Sequence, residues 1–67
     1  MAIGKAIRQR RKEFGISQEE LADRSGINRT YIGDVERGER NLALVNIVVF
    51  AETLDLTASE LLKRSGL

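Results

Sequence analysis

The chain has 67 residues with no cysteine, no histidine and a formal net charge of +1, so it holds one domain near the lower size limit for a core, with no disulfide or zinc site to support it. Its 42% hydrophobic and 31% charged residues exclude a disordered tail. No apolar run approaches the roughly 18 residues of a membrane span, and Met1 to Arg11 lacks the apolar core of a signal peptide, so a cytoplasmic location is expected.

Five helices are predicted in chain order, giving an all-α, compact five-helix domain over residues 1–67. The first, about Ile3 to Phe14, carries Ile3, Ile7 and Phe14 on one stripe with Ala6 beside it, and ends at Gly15. Arg10 falls on that stripe, from which its long stem can carry the guanidinium to the edge. Lys5, Arg8, Arg10, Arg11 and Lys12 stand against Glu13 alone, whereas Glu52, Asp55 and Glu60 face Lys63 and Arg64 near the other end. The net charge is small but unevenly placed, and the basic end is the natural place for a phosphate.

The second and third helices share the segment QEELADRSGINRTYIGDVER, Gln18 to Arg37. Ser17 with Glu20 three residues on reads as a capping box. Leu21 and Ala22 lie on one face of the first of these helices, Ile32 and Val35 on one face of the second, and Ile27 fills the corner. Gly26 follows the first helix, where the backbone must turn left-handed. Asn28 is a good cap for the third helix, and Gly38 ends it within the polar turn Arg37 to Asn41. That leaves Arg29, Thr30, Gly33, Asp34 and Arg37 on the outer face of a second helix in a helix-turn-helix, where base edges are reached. Gly33 costs about 0.5 to 1 kcal/mol in a helix interior, which fits either close approach to DNA or drift.

The fourth helix, about Leu44 to Leu54, is apolar on more faces than a small core needs. Leu44, Ile47, Val48, Ala51 and Leu54 make one buried stripe that Phe50 can widen, which leaves Val45 and Val49, one turn apart, without a partner in the monomer. Thr57 with Glu60 repeats the capping-box pattern at the fifth helix, where Leu61 and Leu62 precede Lys63 and Arg64 near the favourable C-terminal end. Gly66 closes it.

Three strings, SQEELA at Ser17 to Ala22, SGI at Ser25 to Ile27 and RTYIGDVERGERN at Arg29 to Asn41, make the chain resemble the Cro and lambda-repressor-type (XRE) helix-turn-helix family over essentially its whole length. The last string is most similar to the small controller proteins of restriction-modification systems, which are dimeric transcription regulators. The resemblance implies a lambda-repressor-like fold and several residue roles. Gln18 matches a position that meets the DNA backbone, where a helix N-terminus also offers amide donors. Arg29 and Thr30 match base-reading positions, arginine suiting guanine and the threonine methyl suiting thymine. Tyr31 and Asn41 match phosphate-contacting positions, and Ser17, Asn28, Arg37 and Arg40 complete the expected backbone-contacting set. Arg11 and Glu36 match a buried ion pair tying the first helix to the recognition helix.

Besides Gly33, the chain departs from the pattern of the family it resembles at Asp34 and Ala43. Asp34 stands where many relatives have a neutral or basic base-reading side chain; it is assigned to the base-reading set with three roles open, accepting from cytosine N4, orienting Arg37, or neutralising the face. Ala43 stands where a serine or threonine often caps the fourth helix, leaving Asn41 to cap it from further back.

The expected function is a sequence-specific DNA-binding transcriptional regulator, a homodimer on a palindromic operator of double-stranded DNA with half-sites about 34 Å apart. Val45, Val49, Leu62 and Leu67 are the candidate dimer surface. The alternative is an antitoxin-like or other protein-interaction module that retains the fold. Steep salt dependence of DNA binding separates the two. No enzyme is expected, because the carboxylates lie where caps and helix faces explain them, and no cofactor, metal, membrane or small-molecule ligand is implied.

Overall fold

Helix α1 runs Ala2–Phe14, α2 Gln18–Ser25, α3 Arg29–Glu36, α4 Leu44–Thr53 and α5 Ala58–Arg64 in a computed structural model that describes residues 2–66. Helix α1 packs on α3 and α5, α2 on α3 and α4, and α4 on α5. Their shared interior is filled by Phe50, Ile7, Leu21, Ile32, Leu54, Leu61 and Val35, each fully buried and each contributing about 1.5 to 3 kcal/mol through removal from water.

The inner face of α1 is Ile3, Ala6, Ile7 and Arg11, with Gly4 buried among them. A methyl group at Gly4 would overlap the carbonyl oxygen of Val35, so the absence of a side chain there lets α1 close directly on the backbone of α3. The sequence signal for this contact is only the cost that a glycine carries inside a helix. Arg10 does reach the edge: its guanidinium Nε donates to the Leu54 carbonyl at 2.9 Å and lies over the Phe14 ring. The same edge is closed by Arg64 of α5, which donates to Glu13 at 2.9 Å and holds that carboxyl below its usual range.

Helices α2 and α3 meet as expected. Ser17 caps α2 by accepting from the Glu20 backbone, and Gly26 ends it with φ of 73°. Only half of the predicted capping box forms at Ser17, because the Glu20 carboxylate turns to Arg24 one turn on, at 2.6 Å. At Thr57 both halves form.

Helix α4 corrects the predicted stripe. Phe50 is its largest side chain and is completely buried, so it takes the centre of the inner face, with Ala51 and Leu54 buried beside it and Ile47 partly so. That rotation carries Val48 away from the core to 38% exposure, and Leu44, in the first turn with nothing overhanging it, is 69% exposed. Val45 points outward at 66%, while Val49 and Leu62 are half-buried, Leu62 against the core. Leu67, the fourth residue expected on a dimer surface, lies outside the described residues. Ala43 starts α4 with no side-chain cap, and Asn41 does not supply one.

Candidate nucleic-acid interface

The start of α3 is held before anything binds it. Asn28 Oδ1 accepts from the backbone N–H of Thr30 at 2.8 Å and of Tyr31 at 3.4 Å, which satisfies two of the four donors a helix start leaves open. With Ile32 and Val35 buried beneath, Arg29 and Thr30 are exposed at the tip. Among the described residues Arg29 makes no ion pair, so its guanidinium is available to an external acceptor.

Behind that tip, α3 is fixed to α1 by the pair expected of Arg11 and Glu36. Arg11 Nε donates to Glu36 Oε2 at 2.8 Å and Nη2 to Oε1 at 3.0 Å, the two-pronged geometry that suits guanidinium and carboxylate. Nη1 donates to the Ile16 carbonyl at 2.9 Å. The bonds to Glu36 raise the Arg11 pKa against the opposing effect of burial. Gln18 joins this network, its side-chain amide donating to Glu36 Oε1 at 3.1 Å. Its side chain thereby fixes the start of α2 to the end of α3, a role the sequence did not reveal.

The far end of α3 carries a second, exposed group of charges. Asp34 accepts from Arg37 at 2.6 Å and from Arg40 at 3.3 Å, and Arg37 also pairs with Glu39. Glu39 first, then Asp34, raise the Arg37 pKa. Arg37 folds back along the helix over Gly33, where a Cβ would stand 3.1 Å from its Nη1. The Arg37 guanidinium thus lies against Gly33.

Tyr31 and Asn41, both expected at phosphates, are joined to each other. The Tyr31 hydroxyl donates toward the Asn41 carbonyl at 3.5 Å and accepts from Asn46 at 3.2 Å, and Arg40 covers the ring face 5.2 Å from its centre. The tyrosine therefore links the recognition helix to the turn before α4.

One feature was not assigned from sequence. A cleft of about 650 Å³ opens between α1, the start of α2 and the end of α3, lined by Lys5, Arg8, Gln18, Glu36 and Arg37. Lys5, Arg8 and Lys12 fall at helical spacing on the outer face of α1 and make no ion pair among the described residues. That spacing was legible in the chain, but which face of α1 borders the helix-turn-helix depends on how Gly4 packs.

Comparison with known proteins agrees with this geometry. A family model described as helix-turn-helix matches residues 7–61. Control protein C.SmaI of Serratia marcescens is 43% identical over 97% of this chain and 77% of its own length. The crystal structure of the restriction-modification controller protein C.AhdI from Aeromonas hydrophila superposes with a TM-score of 0.85 at 48% identity, covering 90% of this chain and 91% of that one. The controller protein C.Esp1396I, solved as a tetramer in complex with its natural 35 base-pair operator, gives 0.83 at 30% identity over 98% of this chain and 92% of that one.

Proposed function

The chain belongs to the XRE-type helix-turn-helix family, and from that membership we propose that it is a sequence-specific DNA-binding transcriptional regulator, dimeric on a two-fold symmetric operator, with α3 in the major groove. The observation that carries this is a capped α3 start presenting Arg29 and Thr30 unpaired, with cations flanking it along α1 and at the end of α3. Arg29 reads a guanine edge through two donors and Thr30 meets a thymine methyl. Ser17, Asn28, Tyr31, Arg37, Arg40 and Asn41 face the phosphate backbone, and the cleft adds Lys5 and Arg8 to them. Gln18 contributes through its backbone N–H, since its side chain is held by Glu36.

A single domain measures 27 Å in its longest dimension, less than the roughly 34 Å that separates half-sites one turn apart. Two copies are needed, and the exposed Leu44, Val45 and Val48 on α4, with Val49 beside them, are the surface we assign to their contact. The tetramer of C.Esp1396I on its operator supports the use of more than one copy. We read the protein as a regulator without a catalytic step, in keeping with the DNA-binding family to which the chain belongs. A cytoplasmic location goes with the reading as a regulator of DNA; among the described residues no helix is long and apolar enough to cross a membrane.

Selection of bound sequences from random duplex DNA tests the proposal, with Arg29→Ala in parallel and at two salt concentrations. A palindrome of two short half-sites is expected, losing one defined base preference in the variant. Weak binding without a motif, fading equally with salt for both proteins, would sink the regulator reading and direct attention to a protein partner.

A further inference from the structure

The exposed charges at the end of α3 oppose the function just assigned to that helix. Arg37 and Arg40 are two cations of the DNA face, yet in the free protein both are tied to Asp34. The carboxylate is partly covered, its side chain 22% exposed, with both guanidinium groups against it. Gly33 completes the arrangement by leaving room for Arg37 to lie back along the helix, and Glu39 tethers Arg37 a second time.

Any duplex offers phosphates, so ordinary DNA attracts whatever cations are free and repels a carboxylate on the same face. Asp34 imposes both penalties at once, since it neutralises the arginines and places a negative charge toward the groove. Only an amino group on a base edge, cytosine N4 or adenine N6, offers the carboxylate a donor in exchange. Each base pair carries one such amino group in the major groove, on one strand only, so the penalty falls on every sequence and is offset only where that group stands within reach of the carboxylate, which is specificity obtained by rejecting the wrong partner.

Resting on the DNA-binding reading above, we propose that Asp34 is a specificity-determining residue: it withholds Arg37 and Arg40 from phosphates on ordinary DNA and releases them where a base-edge amino group takes their place. Glu36, on the same helix, has no such role, because it is buried and committed to Arg11 and Gln18.

Asp34→Asn keeps the shape and removes the charge. Binding of wild type and variant to the selected operator and to a random duplex of equal length is measured across a salt series. Affinity of the variant for random DNA is expected to rise about 10-fold, with a salt dependence steeper by one to two phosphates as the arginines are freed, while operator affinity rises less or falls. In an Arg37→Ala background the gain on random DNA shrinks, because one of the released cations is absent. A wild type that prefers its operator, with the same operator-to-random ratio in Asp34→Asn, overturns this inference alone. A wild type with no operator preference overturns the regulator reading itself.

Discussion

Helices α3 and α4 have 8 and 10 residues and both bury apolar side chains, yet they turn opposite kinds of side chain to water. Helix α3 starts on the Asn28 cap, anchors Ile32 and Val35 inward, and sends Arg29, Thr30 and the Asp34 cluster outward. Helix α4 starts without a cap, commits Phe50 and Ala51 to the core, and leaves Leu44, Val45 and Val48 facing water. A polar outer face is stable in water and becomes an interface only when a charged ligand arrives. An apolar outer face is disfavoured in water from the start and favours association with another apolar face. One domain thus carries two faces on neighbouring helices, and the difference between them separates DNA contact from self-association.

The largest effect is expected where α3 is anchored. Glu36→Ala leaves the Arg11 guanidinium, 11% exposed as a side chain, without its carboxylate, and is expected to cost about 3 to 5 kcal/mol in denaturant unfolding. A loss below about 1 kcal/mol would mean that the pair is no stronger than a surface salt bridge and that Gly4 packing alone holds α1 to α3. The contrast between the faces is sharpened by Val45→Glu. A charge in the middle of the α4 patch should weaken the dimer by about 30-fold or more, the scale of a central contact residue, with the helical circular dichroism unchanged. Sedimentation showing the wild type monomeric at high micromolar concentration would remove the α4 contact from the comparison. The smallest effect belongs to the helix start. Ala43→Ser gives α4 the cap that α2, α3 and α5 already have, and should stabilise thermal unfolding by about 1 kcal/mol; no gain would show that water already serves those amide groups.

Much of the molecule was legible because its signals are local. Ser17, Asn28 and Thr57 cap helices from positions fixed by their own chain neighbours, and Gly26 turns the chain where the next residue must leave the helix. That Ile3 and Ile7 of α1, Leu21 of α2, and Ile32 and Val35 of α3 turn inward follows from spacing. At Ser17 the local signal was incomplete, since Glu20 had a choice between the cap and Arg24, and the helix face decided it.

The candidate site was legible at its tip and not at its margins. Arg29 and Thr30 follow from the motif. The seating of Arg37 over Gly33, the capture of Gln18 by Glu36 and the cleft beside Lys5 and Arg8 each depend on two segments far apart in sequence. Sequence by itself determined the helices, their caps and the helix-turn-helix, because these depend on neighbours within a few residues. Only the tertiary structure decided which side of α4 faces water and which carboxylates are committed. Those outcomes depend on where Phe50 and Gly4 find space against other helices, and packing of that kind is settled by the whole core at once.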